Sequence, residues 1–146
     1  MGQALKQYFV LTKGGIGIFV LVGGLVGYAL GFEIGSEFSL LNLTLFLFGI
    51  YGISAGSFAL NQAQEYKIDQ KMKRTETRPV ASGWISVKET FFLSAMLMGI
   101  GLSLLHLVSP LASVLGFITI VLYNGFYTMI WKKWTFGAVP GAIPVS

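Results

Sequence analysis

Three side chains with oxygen donors recur at a four-residue step: Asn61, Glu65 and Asp69. On an α-helix each such step turns only about 40° past a full revolution, so the three fall on one stripe. Two carboxylates and an amide oxygen along one face suit Mg²⁺. This hard cation prefers oxygen ligands, keeps several waters and commonly joins one or two carboxylates to a phosphate. A cation cluster follows directly, Lys71, Lys73, Arg74 and Arg78, with Pro79 disfavouring helix at Arg78. Carboxylates for a metal and guanidinium groups for phosphate oxygens are what a metal-bound diphosphate requires. Spacing alone also admits a plainer reading, a solvated polar loop in which Glu65 or Asp69 pairs with Lys73.

The elements that must position these residues are apolar. Of 146 residues, 54% are hydrophobic and 11% charged, against roughly 25% charged in soluble domains, which excludes an ordinary soluble fold and a disordered chain. Mean hydropathy is +0.73, as expected for a chain whose solvent is mostly lipid. Four stretches free of Asp, Glu, Lys and Arg, residues 14–32, 39–60, 90–108 and 111–131, are each long enough to cross a bilayer. The expectation is an all-α polytopic membrane bundle of four transmembrane helices in a single domain, with a motif loop over 61–89. Residues 135–146 are apolar but short and contain Pro140 and Pro144; they read as the start of a fifth, truncated helix.

The net charge of +4 does not imply a nucleic-acid partner, because the cations flank apolar spans, where they set topology. Lys6 and Lys13 precede the first span, six Lys or Arg lie in the middle loop, and Lys132 and Lys133 follow the fourth. The N-terminus and the motif loop are therefore expected on the cytoplasmic side, in a cell inner membrane. The absence of cysteine excludes disulfides, zinc–thiolate sites and thiol catalysis. A signal peptide is not expected, since no small-x-small cleavage site follows the first apolar run. Gly23, Gly27 and Gly31 in the first span, and Gly52 and Gly56 in the second, are expected to let helix backbones pack closely.

The run Asn61-x-x-x-Glu65-x-x-x-Asp69-x-x-Met72-x-Arg74-Thr75-x-x-Arg78-Pro79, followed by Ser82-Gly83, resembles the first signature of the UbiA superfamily of intramembrane prenyltransferases. A second stretch agrees: Tyr127-Thr128-x-x-x-Lys132-Lys133-x-Thr135, then Gly141-Ala142-Ile143-Pro144. The five-residue step from Tyr127 to Lys132 is similar to the heme-farnesylating branch. The resemblance covers essentially the whole chain but only the first half of such enzymes, which look like bundles of about nine helices with two acidic motifs on one cavity. The chain departs from the pattern at Lys67, where a further acidic residue is common, and it carries no second acidic motif.

The resemblance implies prenyl transfer from an isoprenyl diphosphate, farnesyl diphosphate in the heme branch, to a vinyl group of protoheme, giving heme O. Glu65 and Asp69, with Asn61, would hold Mg²⁺ and would act with Arg78 as the catalytic group. Asn61, Arg74, Arg78 and Lys132 would bind the diphosphate. An aromatic quinone precursor as acceptor, a non-catalytic membrane fragment and a small four-helix transporter stand as alternatives. The missing half would be a C-terminal partner or a second copy in a homodimer. Tyr66 reads as an interface anchor, whereas Tyr123 and Tyr127 are open between anchoring and stabilising a cation. Asn124 reads as a packing hydrogen bond. His106, the one histidine, lies at the far end of the third span and is not expected in the site.

Overall fold

A computed structural model describes residues 2–31 and 38–129. Five α-helices follow in order: α1 (Gly2–Leu11), α2 (Gly14–Leu30), α3 (Leu40–Asp69), α4 (Val87–Val108) and α5 (Pro110–Ile120). A π-helical segment, Val121–Tyr127, continues α5. Helices α3, α4 and α5 with its π-helical continuation are each long and apolar enough to cross a bilayer; α1 and α2 pass that test only as a pair bent by 59°. The first apolar stretch thus belongs to a broken helix. The expected fifth helix over 135–146, Lys132 and Trp131 lie outside the described residues.

Local chemistry explains where the helices begin and stop. Ser39 caps α3 by accepting from the Asn42 amide, and no glycine pair or proline interrupts the next 30 residues. Ser86 and Glu89 form a reciprocal capping box that starts α4. Pro110 occupies the first turn of α5, where its missing N–H costs nothing. Gly83, at φ 77°, makes the turn that sends the chain from the motif loop into α4.

Burial is inverted relative to a soluble domain. Phe19, Leu30, Phe92 and Leu107 are each at least 70% exposed, whereas Asn61, Gln62, Thr90, Ser94, Asn124 and Thr128 are buried. That is the pattern of a bundle whose outside meets lipid and whose inside holds the polar groups. The closest packing joins α3 to α4. An added Cβ at Gly56 would lie 2.7 Å from Met98 and 2.9 Å from the Ser94 carbonyl, and one at Gly52 would lie 3.1 Å from the Leu97 carbonyl. On α2 the expectation needs correction. Gly23 and Gly27 face open space, and Gly17 and Gly24 instead meet Tyr51 and Ile50 of α3. A helix rich in glycine on several faces gives no unique packing stripe, so its rotation is set by the bulky residues of its neighbour.

Candidate functional site

Helix α3 rises about 45 Å over its 30 residues, some 15 Å more than a hydrocarbon core requires. Its last three turns carry the stripe. Asn61, Glu65 and Asp69 are 4%, 8% and 4% exposed, so all three face the protein rather than solvent. Asn61 Nδ2 donates to Glu65 Oε2 at 3.3 Å, and Asn61 Oδ1 accepts from Thr128 Oγ1 at 3.1 Å. The structure thus brings the three together on one buried face, and Asn61 stands as the hydrogen-bond partner that orients Glu65.

The partner of Asp69 is Arg78. Arg78 Nη1 lies 2.9 Å from both Oδ1 and Oδ2 of Asp69. Lys73, the alternative partner on spacing, is exposed, as are Lys71 and Arg74. Beyond α3 the chain coils back in successive turns: the Thr75 amide donates to the Met72 carbonyl and the Arg78 amide to the Thr75 carbonyl. The buried Thr75 hydroxyl also donates to the Asp69 carbonyl at 3.0 Å, closing the helix end. Gln70 Nε2 donates to the Ala81 carbonyl, and Val80 and Ile85 pack with Leu11 and Ala59 in the core. These ties return Arg78, nine residues on, to the end of the stripe. Arg74, expected beside it, is exposed.

The π-helical segment forms the opposite wall. Asn124 Nδ2 donates to the Ser57 carbonyl at 2.9 Å, Gln64 Nε2 donates to the Asn124 carbonyl at 3.2 Å, and Thr128 reaches Asn61. Ser57, Asn61 and Gln64 stand at i, i+4 and i+7, so a single α3 face makes all three bonds, accepting two and donating one. Asn124 is therefore a packing residue, as its sequence position suggested. Thr128 belongs to the second motif, and its bond to Asn61 ties that motif to the stripe.

Beneath the stripe lies a cavity of about 400 Å³ between α2, α3 and α5, walled by Ile53, Phe58, Leu115, Gly116, Tyr123 and Tyr127 among others. That volume is within the range of small-molecule sites. Phe58 and Tyr123 meet edge to face at 6.0 Å, and Tyr123 stacks on Tyr127 at 5.8 Å. Tyr123 and Tyr127 are cavity-lining residues rather than surface anchors. Tyr66 instead packs against the small core around Leu11 and Ala59. His106 is exposed in the last turn of α4, next to Leu105, which packs at Gly49; along α3 that level is about 18 Å from Asn61.

The donor chemistry fits Mg²⁺ as far as the chain goes. Among the described residues no group of three His, Cys, Asp or Glu is poised to enclose a metal. Two buried carboxylates one turn apart are enough for an ion that completes its shell with water and phosphate oxygens. A phosphorylated ligand is thus part of the fit. An anionic head at the stripe and an apolar tail in the cavity describe one amphipathic molecule.

The pattern of the UbiA prenyltransferase family matches residues 18–146. The protoheme IX farnesyltransferase of Bdellovibrio bacteriovorus is 48% identical over 139 residues, covering 94% of this chain and 48% of that protein. The protoheme IX farnesyltransferase of Flavobacterium psychrophilum is 36% identical over 141 residues, covering 92% of this chain and 46% of its own length. A solved structure described as digeranylgeranylglyceryl phosphate synthase in membranes superposes with a TM-score of 0.84 at 24% identity, over 98% of this chain and 48% of that one, which shows a common fold. The chain spans about half the length of the curated relatives it matches. With a match over nearly all its residues and the fold to go with it, this all-helical chain belongs to the UbiA prenyltransferase family.

Proposed function

We propose that the chain forms the diphosphate-binding half of an Mg²⁺-dependent prenyltransferase that moves a farnesyl group from farnesyl diphosphate to protoheme, giving heme O. The observation that carries the reading is the buried face of Asn61, Glu65 and Asp69 standing directly over an apolar cavity. The names of the relatives, protoheme IX farnesyltransferases, support the acceptor.

Glu65 and Asp69 hold the ion, and Asn61 keeps the Glu65 carboxylate oriented. Bound there, Mg²⁺ supplies charge neutralisation to the departing diphosphate, a form of electrostatic stabilisation. Arg78, already beside Asp69, takes phosphate oxygens; Arg74, which is exposed, and Lys132 are further diphosphate ligands by the family resemblance. As the allylic C–O bond breaks, the electron pair leaves with the diphosphate and positive charge builds on the prenyl carbon. The rings of Tyr123 and Tyr127, stacked on each other in the cavity wall, would stabilise that charge. The apolar walls keep water from the prenyl cation until the acceptor vinyl group forms the new C–C bond. The positive charge then passes to the vinyl carbon next to the porphyrin, where a water adds and loses its proton to give the hydroxyl of heme O. The protein is integral to the membrane, with the motif loop on the cytoplasmic side, where diphosphates and magnesium are found.

The test is farnesyl diphosphate binding to the protein in nanodiscs, with and without Mg²⁺. Asp69→Asn is expected to abolish the Mg²⁺-dependent part of the affinity, a loss exceeding the roughly 10–100-fold seen when outer-shell partners of a metal are removed. Binding of the variant within twofold of the unaltered protein defeats the assignment.

A further inference from the structure

We infer that Lys13, on the break between α1 and α2, is a further contact for the diphosphate, placed at the phosphate next to the prenyl carbon. The inference rests on the functional reading above and adds a residue that topology alone had claimed. Lys13 adopts φ 49°, ψ 51°, and is the one non-glycine residue with positive φ among those described. A lysine gains nothing locally from the left-handed conformation, and such strain persists where surrounding structure enforces it, most often at ligand sites.

What enforces it is Gln62. This residue is 1% exposed, and its Nε2 donates to the carbonyls of both Val10 and Leu11, at 3.2 and 3.0 Å, stapling the end of α1 to α3. Leu11 itself is completely buried against Ala59. The chain must therefore turn sharply between two fixed points, and the Lys13 carbonyl already accepts from the amides of Ile16 and Gly17 in α2.

The turn aims the half-buried Lys13 ammonium across the bundle to 4.8 Å from the centre of the Phe58 ring. Phe58 lines the cavity and touches Tyr123 edge to face. It also precedes Asn61 and Glu65 by three and seven residues on the same face of α3, about 4.5 and 10.5 Å along the axis. The ammonium thus sits on the shoulder between apolar cavity and acidic stripe, while Arg78 sits at the stripe's other end with Asp69. A prenyl diphosphate with its tail in the cavity brings its first phosphate to the Lys13 level and its second toward Arg78. Lys13 thus lies on the side where leaving-group charge appears first.

The test compares farnesyl diphosphate, farnesyl monophosphate and farnesol binding to the protein in phosphatidylcholine nanodiscs. Lys13→Gln is expected to weaken the diphosphate and the monophosphate alike, by about tenfold, the loss of one charge-assisted hydrogen bond, and to leave farnesol within about twofold. Lys13→Arg keeps the charge and most of the affinity. Lys13→Gly relieves the backbone, so it is expected to melt no lower than the unaltered protein while losing affinity as Lys13→Gln does. Unchanged phosphate affinity in Lys13→Gln or Lys13→Gly, the result also expected of a lysine that serves only lipid headgroups, overturns the inference while leaving the function standing. A weakened diphosphate with an unaffected monophosphate overturns the placement at the first phosphate. Failure of the unaltered protein to bind any farnesyl phosphate overturns both.

Discussion

Breaking the Arg78–Asp69 pair is the most direct probe of how the site is held before any ligand arrives. The guanidinium nitrogen lies 2.9 Å from the carboxylate, with the Asp69 side chain 5% exposed and that of Arg78 23% exposed. At an effective dielectric constant of about 20, unit charges at that separation attract by roughly 6 kcal/mol. Most of this offsets the desolvation of a carboxylate inside the bundle and the ordering of a long side chain, which leaves a net coupling of about 2 kcal/mol. Removing one partner costs more than the coupling, because the other charge remains buried without its neighbour. Arg78→Met and Asp69→Asn are each expected to lose about 3 kcal/mol, and the double variant only about 4. The shortfall from additivity, about 2 kcal/mol, is the quantity to measure. Trp84, in edge-to-face contact with Tyr8 at 5.1 Å, sits where the loop meets α1 and offers a fluorescence signal for reversible unfolding in mixed detergent micelles. Single-variant losses that add to within about 0.5 kcal/mol refute the pair as an anchor of the stripe.

The glycines offer a comparison within one chain. Gly56→Ala places a Cβ against Met98 and the Ser94 carbonyl and is expected to cost about 1–3 kcal/mol, whereas Gly27→Ala meets nothing and is expected to be neutral or to stabilise by up to about 1 kcal/mol in the same unfolding assay. His106→Ala, at the far end of α4, is expected to leave farnesyl diphosphate affinity unchanged in nanodisc binding; a tenfold loss shows that the site extends across the bundle.

The site was legible in the sequence to the extent that it follows one helix. A four-residue repeat of oxygen donors needs only helical geometry to become a face, and nothing between Leu40 and Asp69 interrupts the helix. What spacing could not choose was the partner of Asp69. Lys73 is at helical distance, but the helix ends at Asp69, and from there turns rather than helical periodicity decide which cation returns. The break at Lys13 was hidden for a related reason: residues 2–11 read as a basic N-terminal flank, and only the buried Gln62 on a distant helix fixes the bend. The π-helical segment at Val121–Tyr127 had no signature, since it differs from α-helix by one hydrogen-bond register and is held by Ser57 and Gln64 of α3.

Helix α3 unites these findings, because it is both the most buried span and the carrier of the site. A lipid-facing helix cannot hold carboxylates at its side, so the acidic stripe requires a helix surrounded by others. The close glycine contacts with α4 on one flank, and the π-helical hydrogen bonds on another, provide that surround. The extra length of α3 then lifts Glu65 and Asp69 to the level where a water-soluble headgroup can be met, while Ile53 and Phe58 on the same rod wall the space for an apolar tail. Because one rigid helix bears both, the distance from headgroup to tail is fixed by a rise of about 1.5 Å per residue rather than by loop conformation. On the proposed function, the scissile bond of a prenyl diphosphate would thereby be held at the boundary between the two environments, where charge could leave toward the cations while the carbon left behind stayed dry.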